Sequence, residues 1–239
     1  MVILIHKRFL LLCGGILCCF LYFGILLWQG STACRTVMAY PDSSKSPVIV
    51  VIDPGHGGPD GGAISPDGVQ ESHINLDIAF RVRDLLAFCG QDSLMTRMED
   101  ISVHTPGADR WKASDLQNRV LLVNETENAV LLSIHQNSLP SSPVTHGAQV
   151  FHNPSGEPLA AAVQAALNGY INTENKKQIK AAPAGIYLMK HIKAPGILVE
   201  CGFLSNAEET LRLQETSYQI KLATAVTAGF LQGISDGTL

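Results

Sequence analysis

Short hydrophobic runs alternate with amphipathic stretches along most of this chain, and that alternation limits the fold more than any other feature. Residues 48–52 are all β-branched, which is typical of a strand buried on both faces. Residues 71–88 carry apolar side chains at helical spacing, and Gly90 follows as a helix-ending signal. The other predicted strands are 93–96, 129–134, 148–151, 186–189 and 197–199, and the other predicted helices surround 116–123 and span 158–170 and 217–231.

This order of elements predicts the fold class. Strands that alternate with helices form an α/β domain, in which a mostly parallel sheet is covered by helices on both faces. Ligands of such sheets bind at the carboxyl ends of the strands. We expect one such domain over residues 47–239.

The N-terminal part of the chain predicts a membrane segment. Residues 9–28 are apolar apart from small residues, and they follow Lys7 and Arg8. About 20 apolar residues span a bilayer as a helix, and the flanking positive charge favours a cytoplasmic N-terminus. A cleaved signal peptide with a cut site near residues 37–39 is the alternative, but the apolar run is longer than a usual signal core. We expect a membrane anchor or signal in residues 1–30, a linker in 31–46, and an extracytoplasmic domain.

The charge balance argues against a nucleic-acid partner. The chain has 17 Lys and Arg against 21 Asp and Glu, a net charge of −4. Proteins that bind nucleic acid usually carry a basic surplus. No run of basic residues occurs, so no nucleic acid is expected as a partner.

The cysteines do not predict a disulfide framework. Of the six cysteines, Cys89 and Cys201 lie within the predicted domain. A bridge between them is one interpretation, and two buried thiols is the interpretation that we favour. No CxxC pair is present to hold a structural zinc ion.

Four residues at the ends of predicted elements indicate a metal-dependent hydrolase. His56 lies in a glycine-rich loop after the first strand, Glu71 begins the first helix, and His135 and Glu200 follow two further strands. Two histidines and one glutamate are usual protein ligands of a catalytic zinc ion, and a further carboxylate is needed for proton transfer. The sequence therefore predicts Zn²⁺ held by His56, Glu71 and His135, with Glu200 as the catalytic acid and base.

Each of these residues also has a structural interpretation. Taken alone, His56 suits a structural role equally well, and Glu71 suits a helix N-terminus, where an acid contributes about 0.3–1 kcal/mol. Asp53 is expected to accept the second ring proton of a zinc-bound histidine. His73 lies near Glu71 but is expected to point off a different side of the first turn of the helix. His104, His146, His152 and His191 are expected at the surface.

At these residues the chain resembles the zinc-dependent N-acetylmuramoyl-L-alanine amidases. The resemblance runs from about residue 47 to residue 231 and includes the stretches VIDPGHGGPDGGA, SIHQNS and PGILVECGFLSN. It implies a phosphorylase/hydrolase-like fold, zinc on His56, Glu71 and His135, and acid/base catalysis by Glu200. The implied partner is peptidoglycan, as glycan strands that carry stem peptides.

A narrower likeness links the chain to the germination-specific amidases of endospore formers. It rests on the single membrane segment and on residues 102–119, and it implies removal of stem peptides before muramic-δ-lactam forms in the spore cortex. Gln136 departs from the family, which commonly has alanine there, and its size is expected to affect substrate fit. The need for an activating partner protein stays open.

Two other functions remain as alternatives at this point. A zinc carboxypeptidase acting on stem peptides would use similar ligands and would also need a group for the terminal carboxylate, for which Arg97 and Arg119 are candidates. A non-catalytic envelope-binding module is the other alternative, although such a module has no need of Glu200.

Overall fold

The structure, a computed structural model, describes residues 48–235. The predicted membrane segment at 1–30, the whole predicted linker at 31–46, and residues 47 and 236–239 of the predicted domain lie outside these residues. Between residues 48 and 235, six strands form one sheet, and they are β1 (Ile49–Pro54), β2 (Ser93–Met95), β3 (Ala129–Asn137), β4 (Gln149–His152), β5 (Lys180–Ala181) and β6 (Gly196–Phe203).

The sheet is mixed, with parallel pairing in most places. Its strand order is β2-β1-β3-β6-β4-β5. The pairs β1–β2, β1–β3, β3–β6 and β4–β5 are parallel, whereas β4 runs antiparallel to β6. The prediction of a mostly parallel sheet is confirmed. The reversal of β4 brings the loop before it to the same edge of the sheet as the carboxyl ends of β1, β3 and β6.

In the described part of the chain, six α-helices accompany the sheet. They are α1 (Glu71–Phe88), α2 (Trp111–Glu125), α3 (Glu157–Tyr170), α4 (Tyr187–His191), α5 (Ala207–Gln214) and α6 (Thr216–Ser235), and a short 3₁₀ turn at Pro154–Gly156 precedes α3. The predicted bounds of α1 are confirmed, and those predicted for α3 and α6 are confirmed to within a few residues.

Helices cover both faces of the sheet, as predicted. One hydrophobic cluster joins α1, α3, α5 and α6 to alternate strand residues that include Val50, Leu132 and Val199. A smaller cluster packs α2 and α4 on the opposite face against residues that include Leu131 and Leu198. Because successive strand side chains point to opposite faces, both sets come from the same strands. This two-sided burial explains why the strands read as continuous apolar runs.

The prediction of a strand at residues 186–189 is wrong. These residues contribute to α4, because Leu188, Met189 and Ile192 all pack into the smaller cluster from one side of a short helix. Helix α5 and the two-residue strand β5 were not predicted from the sequence. Within residues 48–235, no helix is long and apolar enough to cross a membrane.

Candidate metal centre and catalytic carboxylate

The four predicted site residues lie at one edge of the sheet. His56 follows β1 by two residues, and Glu71 is the first residue of α1. His135 and Glu200 lie inside β3 and β6, so the expectation that they follow their strands is wrong: both strands run further than their aliphatic residues indicate. The register shifts just beyond His135, as in a β-bulge, which is common beside functional sites.

The structure brings His56, Glu71 and His135 together through atoms that can bind a metal ion. One ligand atom from each residue lies within 4.8 Å of the others. His56 Nε2 is 3.3 Å from Glu71 Oε2, and His135 Nδ1 is 2.9 Å from Glu71 Oε1. Tetrahedral zinc with bonds of about 2.0–2.1 Å requires donor atoms roughly 3.3 Å apart. The His56–Glu71 distance therefore suits zinc, and the whole donor set lies within 4.8 Å.

Close approach of the backbone shapes the space around these ligands. A Cβ atom on Gly55 would lie 2.1 Å from His135 Cε1, and a Cβ on Gly62 would lie 2.5 Å from Glu71 Oε2. Only glycine fits at these two positions while the rings and the carboxylate keep their places. His56 itself has a φ of 63°, an uncommon conformation for a residue with a side chain. The loop thus holds His56 in a fixed and strained direction.

Glu71 is held by a set of hydrogen bonds that the sequence did not reveal. Its side chain is buried and accepts from the backbone N–H groups of Ala63 (2.8 Å) and Gln136 (3.0 Å) and from Asn75 Nδ2 (3.2 Å). Burial alone would raise the pKa of Glu71, but the hydrogen bond and charge of His135 outweigh it and lower the pKa to about 2. The carboxylate is therefore ionised, which is the form that binds a cation.

Gln136 lies beneath the site rather than on the substrate side. It is 3% exposed, and its Nε2 donates to Asn75 Oδ1 at 3.2 Å. As the residue after His135 in β3, it points to the opposite face of the sheet. Its side chain contacts Asn75, which in turn donates to Glu71 and to the Gly55 carbonyl, so an effect of its size on substrate fit would act through these residues.

Asp60, rather than Asp53, approaches a ring nitrogen of the site histidines. Asp60 Oδ2 lies 3.0 Å from His56 Nδ1, and Lys112 Nζ lies 3.0 Å from the same oxygen. The two atoms are in close contact, but the geometry is not that of a hydrogen bond. Asp60 was missed because sequence does not show that its loop folds back toward His56.

Asp53 has a structural role, and the prediction that it accepts a histidine proton is wrong. Its carboxylate accepts hydrogen bonds from Thr96 Oγ1 (2.8 Å), Arg119 Nη1 (2.6 Å) and Ser133 Oγ (2.7 Å). Burial raises the pKa of Asp53, but the charges of Arg119 and His135 and these hydrogen bonds lower it to about 2. Asp53 is thus a buried anion that joins β1, β3 and α2.

Two buried arginines hold the loop that carries His56. Arg119 donates to the carbonyls of Pro54 and His56 as well as to Asp53. Arg97, whose side chain is fully buried, donates to the carbonyls of Pro54, Gly55, Ser72 and Glu99. Neither guanidinium faces a space where a peptide carboxylate would bind. Arg97 and Arg119 are therefore not available to bind the terminal carboxylate that a carboxypeptidase must recognise.

Glu200 faces the same side of the sheet as His135. The two residues are register partners on β3 and β6, and Gln149 is the partner of Glu200 on β4. Paired residues of adjacent strands point to the same face and lie about 5 Å apart. Glu200 Oε2 is buried and has no hydrogen-bond partner among residues 48–235. Burial raises the pKa of Glu200 to about 7, with a further rise from Glu71 and an opposing effect of His135.

The other histidines and the cysteines lie away from these ligands. His73 is exposed and lies 3.0 Å from Asp100, and His104 is half-buried. His146 and His191 are exposed, but His152 is buried and bonded to the Asn153 carbonyl, so its surface prediction is wrong.

Both cysteines are free thiols, so no bridge joins them. Cys201 is buried, as predicted. Burial raises the pKa of its thiol above the usual range, which argues against a role as a thiolate nucleophile. Cys89 is exposed, contrary to the expectation.

Comparison with known proteins agrees with this geometry. Residues 50–232 match the family model described as N-acetylmuramoyl-L-alanine amidase. The chain is 40% identical over 190 residues to the germination-specific N-acetylmuramoyl-L-alanine amidase of Bacillus subtilis, and the match covers 77% of this chain and 78% of that protein.

Solved structures of amidases share the fold. The CwlD amidase from Clostridioides difficile, solved in complex with the GerS lipoprotein, superposes with a TM-score of 0.75 at 30% identity and covers 79% of this chain and 99% of that one. The amidase AmiC2 of Nostoc punctiforme gives a TM-score of 0.70 at 31% identity, over 79% of this chain and 97% of that one.

Proposed function

The chain belongs to the N-acetylmuramoyl-L-alanine amidase family, and from that premise we propose that it acts with a zinc ion held by His56, Glu71 and His135 and with Glu200 as the proton-transfer group. Its activity is the hydrolysis of the amide bond between N-acetylmuramic acid and L-alanine in peptidoglycan. The observation that carries the site proposal is the convergence of three donor atoms within 4.8 Å at the edge of the sheet where Glu200 also lies.

Zinc in such a site supplies Lewis acidity, which activates water near neutral pH and stabilises negative charge on the carbonyl oxygen. Glu200 takes a proton from the attacking water while the oxygen of that water bonds to the lactyl carbonyl carbon. Glu200 then delivers that proton to the alanine nitrogen as the carbon–nitrogen bond breaks. The products are a lactyl carboxylate and a peptide with a free L-alanine amino group. Burial raises the pKa of Glu200 in the metal-free chain, and a raised pKa favours the return of the proton to the leaving nitrogen.

The residues behind the ligands keep the donors in place during this reaction. Asn75 orients the Glu71 carboxylate, and Arg97 and Arg119 fix the loop that carries His56. Groups that orient metal ligands usually affect metal affinity by 10–100-fold. These side chains do not need to contact the substrate to support turnover.

The direct test is mass spectrometry of purified peptidoglycan after treatment with the full-length chain, either zinc-loaded or stripped by a chelator. Zinc-dependent release of stem peptides with free L-alanine amino termini supports the proposal. Stems that are shortened but still attached to glycan identify a carboxypeptidase. Equal release after zinc has been removed contradicts the metal assignment.

We propose the spore cortex as the substrate, because the chain is 40% identical to a germination-specific amidase. A sporulating strain that lacks this chain should make cortex without muramic-δ-lactam, and restored lactam should follow expression of the wild-type chain. Normal lactam content in the deletion strain would instead assign the chain to vegetative wall.

A lipoprotein partner and a membrane location complete the proposal. The Clostridioides difficile amidase of similar fold forms a complex with a lipoprotein, and we extend such a partner to this chain. Peptidoglycan lies outside the cytoplasmic membrane, so the domain acts in the cell envelope, attached through residues 1–30 or released by their cleavage. Fractionation of cells with an antibody against the domain separates these two cases.

A further inference from the structure

One ring nitrogen of His56 is buried behind the candidate metal centre without a hydrogen bond. The ring presents Nε2 to Glu71, at 3.3 Å from Oε2, and Nδ1 to Asp60, at 3.0 Å from Oδ2. Nδ1 is closed off from solvent, and no hydrogen bond to it forms within residues 48–235. Buried polar atoms are nearly always satisfied, so this nitrogen calls for a partner.

Metal binding decides what kind of partner Nδ1 needs. A neutral imidazole has one N–H group, and the nitrogen that binds a metal ion cannot be the one that carries the proton. With Nε2 on the metal, Nδ1 carries the proton and becomes a donor. Because Nδ1 is closed off from solvent, the acceptor has to come from the protein. Asp60 Oδ2 is the carboxylate oxygen in contact with it.

Asp60 is fixed by its own loop. Its N–H donates to the Gly57 carbonyl (3.3 Å), its carbonyl accepts from the Gly57 N–H (2.8 Å), and its Oδ1 accepts from the Gly62 N–H (3.3 Å). Oδ1 is thus bonded within the loop, and Oδ2 faces His56 and Lys112. The 3.0 Å separation from His56 is already that of an N–H···O hydrogen bond, so only the direction has to change.

Helix α2 holds His56 from two directions. Lys112 Nζ lies 3.0 Å from Asp60 Oδ2, and Arg119 Nη2 donates to the His56 carbonyl at 2.8 Å. The two cations are seven residues apart, which places them on one face of the helix about two turns from each other. Arg119 is itself bonded to Asp115 of the same helix at 2.7 Å. Helix α2 therefore acts on the backbone of His56 through Arg119 and on its ring through Lys112 and Asp60.

We propose that Asp60 and Lys112 are positioning residues for the metal ligand His56. Asp60 accepts the Nδ1 proton that metal binding requires, and Lys112 holds the Asp60 carboxylate in place. The inference rests on the proposed function, because that function puts a zinc ion on His56. Neither residue has to touch the substrate. The affinity for zinc then depends on a side chain of α2, a helix that supplies none of the three ligands.

The affinity for zinc tests this role without turnover. Competition of the purified full-length chain with a chromogenic chelator measures the dissociation constant. Asp60→Ala should weaken zinc binding by about 10–100-fold, the usual effect of losing a group that orients a metal ligand. Asp67→Ala removes an exposed acid of the same loop and should leave the dissociation constant unchanged. Wild-type zinc affinity in a folded Asp60→Ala variant overturns the proposal.

A double-mutant cycle tests whether Lys112 acts through Asp60. Lys112→Met keeps the aliphatic stem and should weaken zinc binding by about 2–5-fold, because the Lys112 side chain is 61% exposed and its ion pair is partly screened. In the Asp60→Ala background, Lys112→Met should cause no further weakening, since its partner is gone. Lys221→Met, at an exposed lysine of α6, should have no effect in either background. Equal weakening by Lys112→Met in both backgrounds overturns the pair.

Cobalt gives a readout that a purely structural role would not move. The visible absorption of bound Co²⁺ reports the arrangement of its ligands, and it is recorded at saturating metal so that weaker binding does not matter. Asp60→Ala should change this spectrum, because the His56 ring loses the acceptor that orients it, whereas Asp67→Ala should not. Weaker binding with an unchanged spectrum would mean that Asp60 supports the loop and not the ring, and would overturn the proposal.

The same measurements separate this inference from the proposed function. If His56→Ala loses zinc while Asp60→Ala binds zinc as tightly as the wild type, the positioning pair is wrong and the metal centre stands. If neither variant changes the affinity for zinc, His56 is not a ligand and the proposed metal centre itself is wrong.

Discussion

His135 and Glu200 are register partners on the adjacent parallel strands β3 and β6, so a proposed metal ligand and the proposed proton-transfer group leave the sheet on the same face. Neighbouring strands lie about 5 Å apart. The backbone therefore sets the separation of the two side chains, and no flexible loop intervenes. A rigid scaffold of this kind is what proton transfer to a bound substrate requires.

This arrangement predicts that Glu200→Gln retains zinc and loses activity. Glutamine has nearly the same shape but cannot accept and return a proton, so kcat should fall by about 10²–10⁴-fold. Metal analysis of the purified variant should show wild-type zinc content. Glu125→Gln, which changes an exposed acid at the end of α2, is the matched control and should change neither quantity. Loss of zinc from a folded Glu200→Gln variant would make Glu200 a ligand.

The metal ligands give a second prediction. His56→Ala and His135→Ala should each lose zinc and activity together, because each removes one of three protein donors. His191→Ala removes an exposed histidine that stacks on Tyr187, and this variant should keep both its zinc and its activity. Zinc content is measured after dialysis against a weak chelator. Unchanged zinc in either ligand variant would contradict the site.

Much of the fold was predictable because its main strands are buried on both faces. That burial makes β1, β3 and β6 continuous aliphatic runs, which a sequence shows directly. The short helix α4 was mistaken for a strand because an apolar run of four residues has no readable period. The missed helix α5 did carry a signal: Asn206 accepts from the Glu209 N–H as an N-cap.

The residues that the candidate site brings together were predictable from the sequence, but the contacts that hold them in place were not. His56, Glu71 and His135 occur in motifs that a sequence displays, whereas the contacts behind them join distant residues. Arg119 bonds to Asp53 across 66 positions, and a sequence cannot show which buried carbonyls an arginine will meet. The error about Asp53 has the same cause, since its partners come from other strands and from α2.

Asn75 supplies a third prediction, about metal affinity. Asn75→Ala removes the hydrogen bond to Glu71 Oε1 and the bond to the Gly55 carbonyl. Zinc should then bind about 10–100-fold more weakly, as is usual when a group that orients a ligand is lost. Competition with a chromogenic chelator measures the dissociation constant. Gln136→Ala should have a smaller effect, because Gln136 acts on Asn75 through one bond of 3.2 Å.

The control for Asn75 is Asn168→Ala. Asn168 donates to the Lys177 carbonyl, so its loss also removes a partly buried amide but leaves the site alone. Both variants are expected to lower the melting temperature, and only Asn75→Ala should weaken zinc binding. Equal zinc affinity in the two variants would show that Asn75 serves the fold alone.

Asp53 predicts how stability depends on pH. Its pKa in the folded chain is about 2, below the ordinary value of 3.8, because the charges and hydrogen bonds of Arg119 and its neighbours outweigh burial. A carboxyl group whose pKa is lowered by folding stabilises the fold at pH values above its pKa in the unfolded chain. That contribution is lost as pH falls from about 4 toward 2. The difference corresponds to about 2 kcal/mol at neutral pH, at 1.36 kcal/mol per pKa unit.

Urea unfolding of the metal-free chain between pH 7 and pH 2.5 measures this contribution without protonation of zinc-bound histidines. Asp53→Asn should lower the free energy of unfolding by at least about 2 kcal/mol at pH 6, since it also leaves the buried Arg119 without this carboxylate. The gap between wild type and Asp53→Asn should be constant from pH 5 to pH 7 and should narrow below pH 4. Asp84→Asn, at an exposed acid paired with Arg83 on α1, should show little gap at any pH. A gap for Asp53→Asn that stays constant down to pH 2.5 would mean that the Asp53 carboxylate is not the ionised partner of Arg119 in the fold.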